Sequence, residues 1–298
     1  MGHDQLFKEF LREFFQDFLE LFYPDEAARL DFGTLRFLDK ELFTDFPEGS
    51  LREADVVAQI HTREGQPELI LVHIEVQLRP EPDFAQRMFQ YYALLWLRYR
   101  IPILPVAVYI RGGEDLKEEQ YRVKLFGREQ LRFRYQTVAL AQLDAEEYVD
   151  KRNPVAAALA ALMRRQDVED RLTLRALMLQ HVAESKLDHA REFLLKNLIE
   201  TYFKLAAEEK ERFSRLLLKS EYREVREMEL TWADEMIEKG RLAGKLETLK
   251  HLLAKKFGPL PQETVSRLEA LESLDELDVY LDRVLTADSL EEMGLDAA

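Results

Sequence analysis

Asp55, Glu75 and Gln77 have the types and spacing to do chemistry together. They sit in two otherwise apolar runs, Ala54-Asp-Val-Val-Ala-Gln-Ile-His-Thr62 and Glu68-Leu-Ile-Leu-Val-His-Ile-Glu-Val-Gln77. Side chains alternate along a strand, so Glu75 and Gln77 share one face, and pairing of the two runs brings Asp55 alongside. A carboxylate in such a run is costly to bury unless it finds a partner or an ion. Hard divalent cations such as Mg²⁺ or Mn²⁺ take oxygen ligands, and two carboxylates with a backbone carbonyl can hold one against a phosphate. The ion would polarise the phosphoryl oxygen and lower the pKa of a water, which makes phosphodiester hydrolysis the expected reaction. The competing reading is a carboxylate pair on the open, solvated face of an antiparallel sheet. His73 shares the Glu75 face, either as a ligand or as a hydrogen-bonded neighbour that orients a carboxylate.

Two further groups could meet a nucleic acid. Arg87 and Tyr91 are four apart in a helical run, hence on one face, where an Arg fork suits phosphate oxygens. The same spacing suits an Arg capping the sheet edge over an aromatic core, and Tyr92, Trp96 and Tyr99 read as core. Tyr121 to Tyr135 is the clearly basic stretch with interleaved aromatics, and Arg122, Lys124, Arg128, Arg132 and Arg134 are its candidate phosphate contacts. A solvated charged face is the alternative.

Charge limits where such contacts can lie. The 298 residues carry 42 Lys+Arg and 57 Asp+Glu, a formal charge of −15, so a uniform attraction to nucleic acid or anionic lipid is ruled out and only a local basic surface can hold DNA. Cysteine is absent, which excludes thiol nucleophiles, disulfides and Cys-ligated metal clusters and fits a reducing compartment. No window offers the roughly 18 to 20 uncharged apolar residues of a membrane span. Asp4, Glu9, Glu13, Asp17 and Glu20 interrupt the first apolar stretch, so no secretory signal is expected and the predicted location is the cytoplasm, with no membrane partner.

The elements that must position these residues are legible from periodicity. Leu6, Phe7, Phe10, Leu11, Phe14, Phe15, Phe18, Leu19 and Phe22 form one wide stripe, predicting a helix over Gln5–Phe22 that Pro24 ends and that packs on a sheet. The two β-rich runs predict an antiparallel hairpin turning at Arg63–Pro67. Asp83 to Arg100 resumes helical spacing, and Ile103 to Ile110 is a further strand, bounded by Gly112 and Gly113, whose Pro105 suits its start better than its centre. A weaker strand is expected over Tyr135–Leu140. From Asn153-Pro154 the chain is rich in Ala, Leu, Glu, Arg and Lys, which predicts helices. Gly258 ends one of them, and Ser273-x-x-Glu276 and Ser289-x-x-Glu292 have capping-box spacing.

Together these residues resemble the PD-(D/E)XK nuclease core in its D…ExQ variant. More narrowly, His3-Asp4-x-x-Phe7-Lys8, Phe18-Leu-Glu-Leu-Phe-Tyr-Pro24, His73-Ile-Glu-Val-Gln77 and Arg87-Met-Phe-Gln-Tyr-Tyr92 with Leu95-Trp96 are similar to the Rpn (recombination-promoting nuclease/putative transposase) family over about residues 1–165. The resemblance implies an α/β fold, a mixed sheet flanked by helices, followed by an all-α C-terminal region. It implies a Mg²⁺-dependent DNA endonuclease with Asp55 and Glu75 as ligands and Gln77 in place of the usual catalytic lysine. An acidic residue of the first helix is a further ligand in such proteins; Glu13 and Glu20 are candidates, and Glu20 lies in the matching segment. Ala54 stands where the name-giving proline would be. Residues Gly244–Met293 resemble a small helical domain of unknown function.

The expected organisation is a nuclease-like domain at 1–150, a helical extension at 151–240 and a small helical domain at 241–298. A homodimer is expected because double-strand cutting needs two sites. The alternative function is a nuclease-like fold that no longer cuts and serves as a binding or assembly module, suggested by the missing lysine and the acidic charge.

Overall fold

The computed structural model describes residues 3–38, 55–63, 69–79, 81–112, 119–151, 153–165, 171–271 and 273–295. Most of the expected hairpin turn, together with Ala54, Pro80 and Gly113, lies outside the described residues. The chain divides into two compact units, Met1–Val225 and Arg226–Ala298.

The first unit opens with α1 (His3–Glu13), α2 (Phe15–Phe22) and the single turn α3 (Pro24–Ala27). The predicted continuous helix is broken at Phe14, where φ of −114° and ψ of 34° leave the helical region. Pro24 does not simply end the helix; it begins α3, a position where a missing N–H breaks no bond. The aromatic stripe survives the break, and Leu6 through Leu19 at those positions are buried.

The strands are β1 (Leu30–Phe37), β2 (Val56–Thr62), β3 (Leu69–Gln77), β4 (Ile103–Tyr109), β5 (Gln120–Leu125), β6 (Arg128–Arg134) and β7 (Gln136–Ala139). Five form a mixed sheet in the order β1-β2-β3-β4-β7. β1, β2 and β3 run antiparallel, whereas β3, β4 and β7 run parallel. A parallel neighbour needs a crossover, and α4 (Phe84–Tyr99) supplies it between β3 and β4. β1 was not foreseen: Gly33 and a register shift between Asp31 and Arg36 break its alternation. Pro105 lies inside β4, contrary to expectation. β7 pairs with β4 only from Val106 onward, which leaves the proline without a strand neighbour on that side.

β5 and β6 form a separate two-stranded ribbon. The remaining helices of this unit are α5 (Ala145–Val149), α6 (Pro154–Ala160), α7 (Arg171–Ala183), α8 (His189–Tyr202) and α9 (Ala207–Leu216). Asn153 caps α6, its Oδ1 accepting from the Val155 and Ala156 amides at 2.8 and 3.0 Å, and every residue of α6 after Pro154 is buried.

α10 (Arg223–Phe257) leads into the second unit, where α11 (Gln262–Glu269) and α12 (Leu274–Thr286) complete the fold. Their core is Leu249, Leu253, Leu268, Leu277, Val284 and Met293. Gly258, at φ 88°, ends α10, and the Ser273 hydroxyl caps α12 by accepting from Glu276 N at 3.4 Å. Among the described residues no helix is long and apolar enough to cross a membrane.

Candidate active site

β3 carries two unlike faces. Val72, Ile74 and Val76 point one way, His73, Glu75 and Gln77 the other, and all six are buried. Across the parallel pairing, His73, Glu75 and Gln77 lie beside Pro105, Ala107 and Tyr109 of β4. α4 roofs this polar face: the Tyr91 ring meets the His73 ring edge-on, with centroids 5.5 Å apart. The small side chain of Ala107 is the immediate neighbour of Glu75, so the carboxylate is not crowded from that strand.

Asp55, just before β2, is locked to the same strand end by a reciprocal pair of bonds. Its Oδ2 accepts from the Val76 amide at 2.7 Å, and its own amide donates to Glu75 Oε1 at 3.1 Å. The two carboxylates are therefore neighbours. His73 Nε2 stands 2.8 Å from the same Glu75 Oε1, and among the described residues the buried His73 Nδ1 meets no hydrogen-bond partner. Lys8, reaching from α1, places Nζ 2.7 Å from Asp55 Oδ1. Gln77 turns its amide nitrogen to the Val76 carbonyl at 3.1 Å.

Electrostatics follow from this crowding. Burial pushes the Asp55 carboxyl up to about 6, and the neighbouring Glu75 adds to the rise, while Lys8 and the Val76 amide oppose it. Burial works against the charge of Arg87, but its bond to Glu81, at 2.9 Å, outweighs it with smaller help from Tyr91 and Glu75, so the guanidinium is held above its ordinary value.

The structure thus brings Asp55 and Glu75 together and keeps Gln77 on their face. Glu20 is exposed on α2, where it accepts from Gln16 at 2.8 Å, and takes no part in the Asp55–Glu75 contacts. Glu13 is paired with Arg191 at 2.6 Å. Among the described residues no three His, Asp or Glu side chains stand grouped as a ready metal cage. α1 instead sends a cation, Lys8, to the pair. Sequence reasoning gave Lys8 no such role: it entered only as the last residue of the His3-Asp4-x-x-Phe7-Lys8 motif, and nothing in local spacing connects position 8 with position 55.

The candidate nucleic-acid contacts fall in two places. Tyr91 is buried against His73, and Arg87 lies over the Phe84 ring at 5.1 Å. Arg122, Lys124, Arg128, Arg132 and Arg134 are exposed on the β5–β6 ribbon, with Arg132 forked onto Glu129 at 2.7 and 3.0 Å. α4 joins the two places, since Phe89 stacks on Tyr121 and Tyr92 packs on Phe133. Trp96, expected in the core, is 43% exposed because it lies on the outer side of α4, where Arg100 covers its ring.

Comparison with known proteins gives one family match: the model described as "Putative transposase, YhgA-like" aligns with residues 1–202. Neither the curated proteins nor the solved structures contain a match.

Proposed function

The chain belongs to the YhgA-like family of putative transposases, and from that premise we propose that it is a divalent-metal-dependent endonuclease that hydrolyses DNA phosphodiester bonds at the Asp55–Glu75 pair. The observation that carries this reading is the meeting of two buried carboxylates at one strand end, each tied to the other's strand. Like charges pressed together out of water are costly unless a cation joins them, and the hard oxygen donors suit Mg²⁺ or Mn²⁺.

Asp55 and Glu75 would hold the ion, and Glu20 is the proposed third ligand if it gives up Gln16. When bound, the ion polarises a phosphoryl oxygen and lowers the pKa of a water. Gln77 orients water or substrate with its amide but adds no charge, so the positive charge contributed by the chain comes from Lys8 and Arg87. His73 orients Glu75, and Tyr91 in turn braces His73. The ribbon cations track the phosphates, and double-strand cutting would engage a second copy of the chain.

The test is plasmid nicking by the purified protein in Mg²⁺. Wild type should nick, and Asp55→Ala should stop doing so; equal cleavage by the two proteins removes the proposal.

A second reading, a nuclease-like fold that binds without cutting, draws on one observation: Lys8 already occupies Asp55 Oδ1, where a cation would bind. Calorimetry with Mg²⁺ or Mn²⁺ separates the readings. DNA binding without ion uptake, and without cleavage of any DNA or RNA, favours the second.

A further inference from the structure

The turn joining β5 to β6 is built against its own interests. Leu125 pairs with Arg128, so Phe126 and Gly127 form a two-residue turn, and both have positive φ, 49° and 77°. That is the pattern of a type I′ hairpin turn, which favours Asn, Asp or Gly at both positions. Phe126 is a bulky side chain in the left-handed region, and it is also 94% exposed. Leu125 and Val123 beside it are 54% and 37% exposed. Backbone strain and apolar exposure at one residue are two separate costs, and such outliers cluster at functional sites.

The surroundings identify what the tip is for. Arg122 lies opposite Arg132, and Gln120 opposite Arg134, so cations line one face of the ribbon. Residues 119–135 carry five cations, Arg122, Lys124, Arg128, Arg132 and Arg134, against two anions, Glu119 and Glu129, in a chain of net charge −15. The other face is anchored on α4 through Tyr121 and Phe133. A polyanion with apolar surface at its centre is complementary to a basic ribbon with an apolar tip, and nucleic acid has that construction. Two paired strands fit a groove of B-form DNA, whereas the deep, narrow major groove of A-form RNA does not admit them.

We propose that the β5–β6 ribbon enters a groove of duplex DNA tip first and that Phe126 wedges against a base step while Arg122, Lys124, Arg128, Arg132 and Arg134 hold the flanking phosphates. The proposal rests on the DNA-cleaving reading for its choice of ligand but not on catalysis.

The experiment is fluorescence anisotropy of the full chain on a duplex oligonucleotide carrying 2-aminopurine, in EDTA. Wild type should bind and raise the 2-aminopurine signal as the base unstacks. Phe126→Ala should bind about tenfold more weakly, the effect of losing one base–aromatic stack, and should lose the signal. Lys124→Ala should reduce the slope of log affinity against log salt by about 1. Phe126→Asn guards against misfolding, since the turn prefers Asn: it should melt higher than wild type yet bind as weakly as Phe126→Ala. Wild-type affinity and unstacking in both Phe126 variants overturns the proposal. So does failure of the wild type to bind duplex DNA, or a dimer that the variants disperse while keeping their DNA affinity. Because EDTA silences cleavage, these outcomes are independent of the nicking test: cleavage indifferent to Asp55→Ala sinks the catalytic reading alone, and binding indifferent to Phe126 sinks the wedge alone.

Discussion

Asp55 sets the pH behaviour of the site. Its carboxyl is raised from 3.8 to about 6 in the folded chain, so the folded state binds this proton more tightly than the unfolded state. The stabilisation that the proton gives is fully present below about pH 4 and is lost as pH rises through about 6, an effect on the order of 3 kcal/mol. Denaturant unfolding from pH 4 to 7 should therefore show the stability of wild type relative to Asp55→Ala declining by that order; a constant difference would refute the shift. Protons and metal compete for the same oxygens, so the thermal stabilisation by Mg²⁺ should grow as pH rises from 5 to 7.5. Lys8→Ala removes the cation from Asp55 Oδ1 and should cost about 2 kcal/mol at pH 7, with Lys8→Arg restoring part of it, as read by urea unfolding. The carboxylates were legible in the sequence because period-two alternation sets Glu75 with Gln77 on one face and pairing of the two runs brings Asp55 alongside. The contribution of Lys8 was not, because an ion pair between residues 8 and 55 is a product of tertiary packing.

Among the elements, α4 and β4 follow their periodicity almost to the residue, and their place beside β3 fixes what covers the carboxylates. Three features escaped sequence reading, each for a local reason. The break at Phe14 leaves the apolar stripe uninterrupted, so spacing does not reveal it. Gly33 and a bulge obscure β1. The ribbon does alternate, Tyr121, Val123 and Leu125 against Arg122 and Lys124 and then Leu131 and Phe133 against Arg132 and Arg134, but its basic charge drew the reading to a phosphate-contacting surface rather than to paired strands. α10 offers a check at this scale. Gly240 and Gly244 lie within it, and a β-carbon added at either meets open space. Gly240→Ala and Gly244→Ala should each stabilise the helix by about 0.5–1 kcal/mol, measured by thermal melting followed by circular dichroism; a loss of stability would show that these glycines serve something other than the helix.

Over the whole molecule charge is unevenly placed. Residues 226–298 hold nine Lys and Arg against seventeen Asp and Glu, so this unit contributes −8 of the −15. A chain ending at residue 225 should bind duplex DNA more tightly than the full chain at low salt, with the gap closing near 1 M, where the Debye length falls to about 3 Å. Equal affinities at every salt concentration would mean that the acidic unit does not act on bound DNA through its charge. The alternation along β3 has a different bearing, on which sequence changes the fold can absorb. Because the polar triplet and Val72, Ile74 and Val76 occupy opposite sides of one strand, deleting or inserting a single residue within Leu69–Gln77 would swap them, driving valine and isoleucine beneath Tyr91 and turning His73, Glu75 and Gln77 towards the opposite layer. Natural length variation should accumulate in the connections between strands, while β3 itself changes only by substitution.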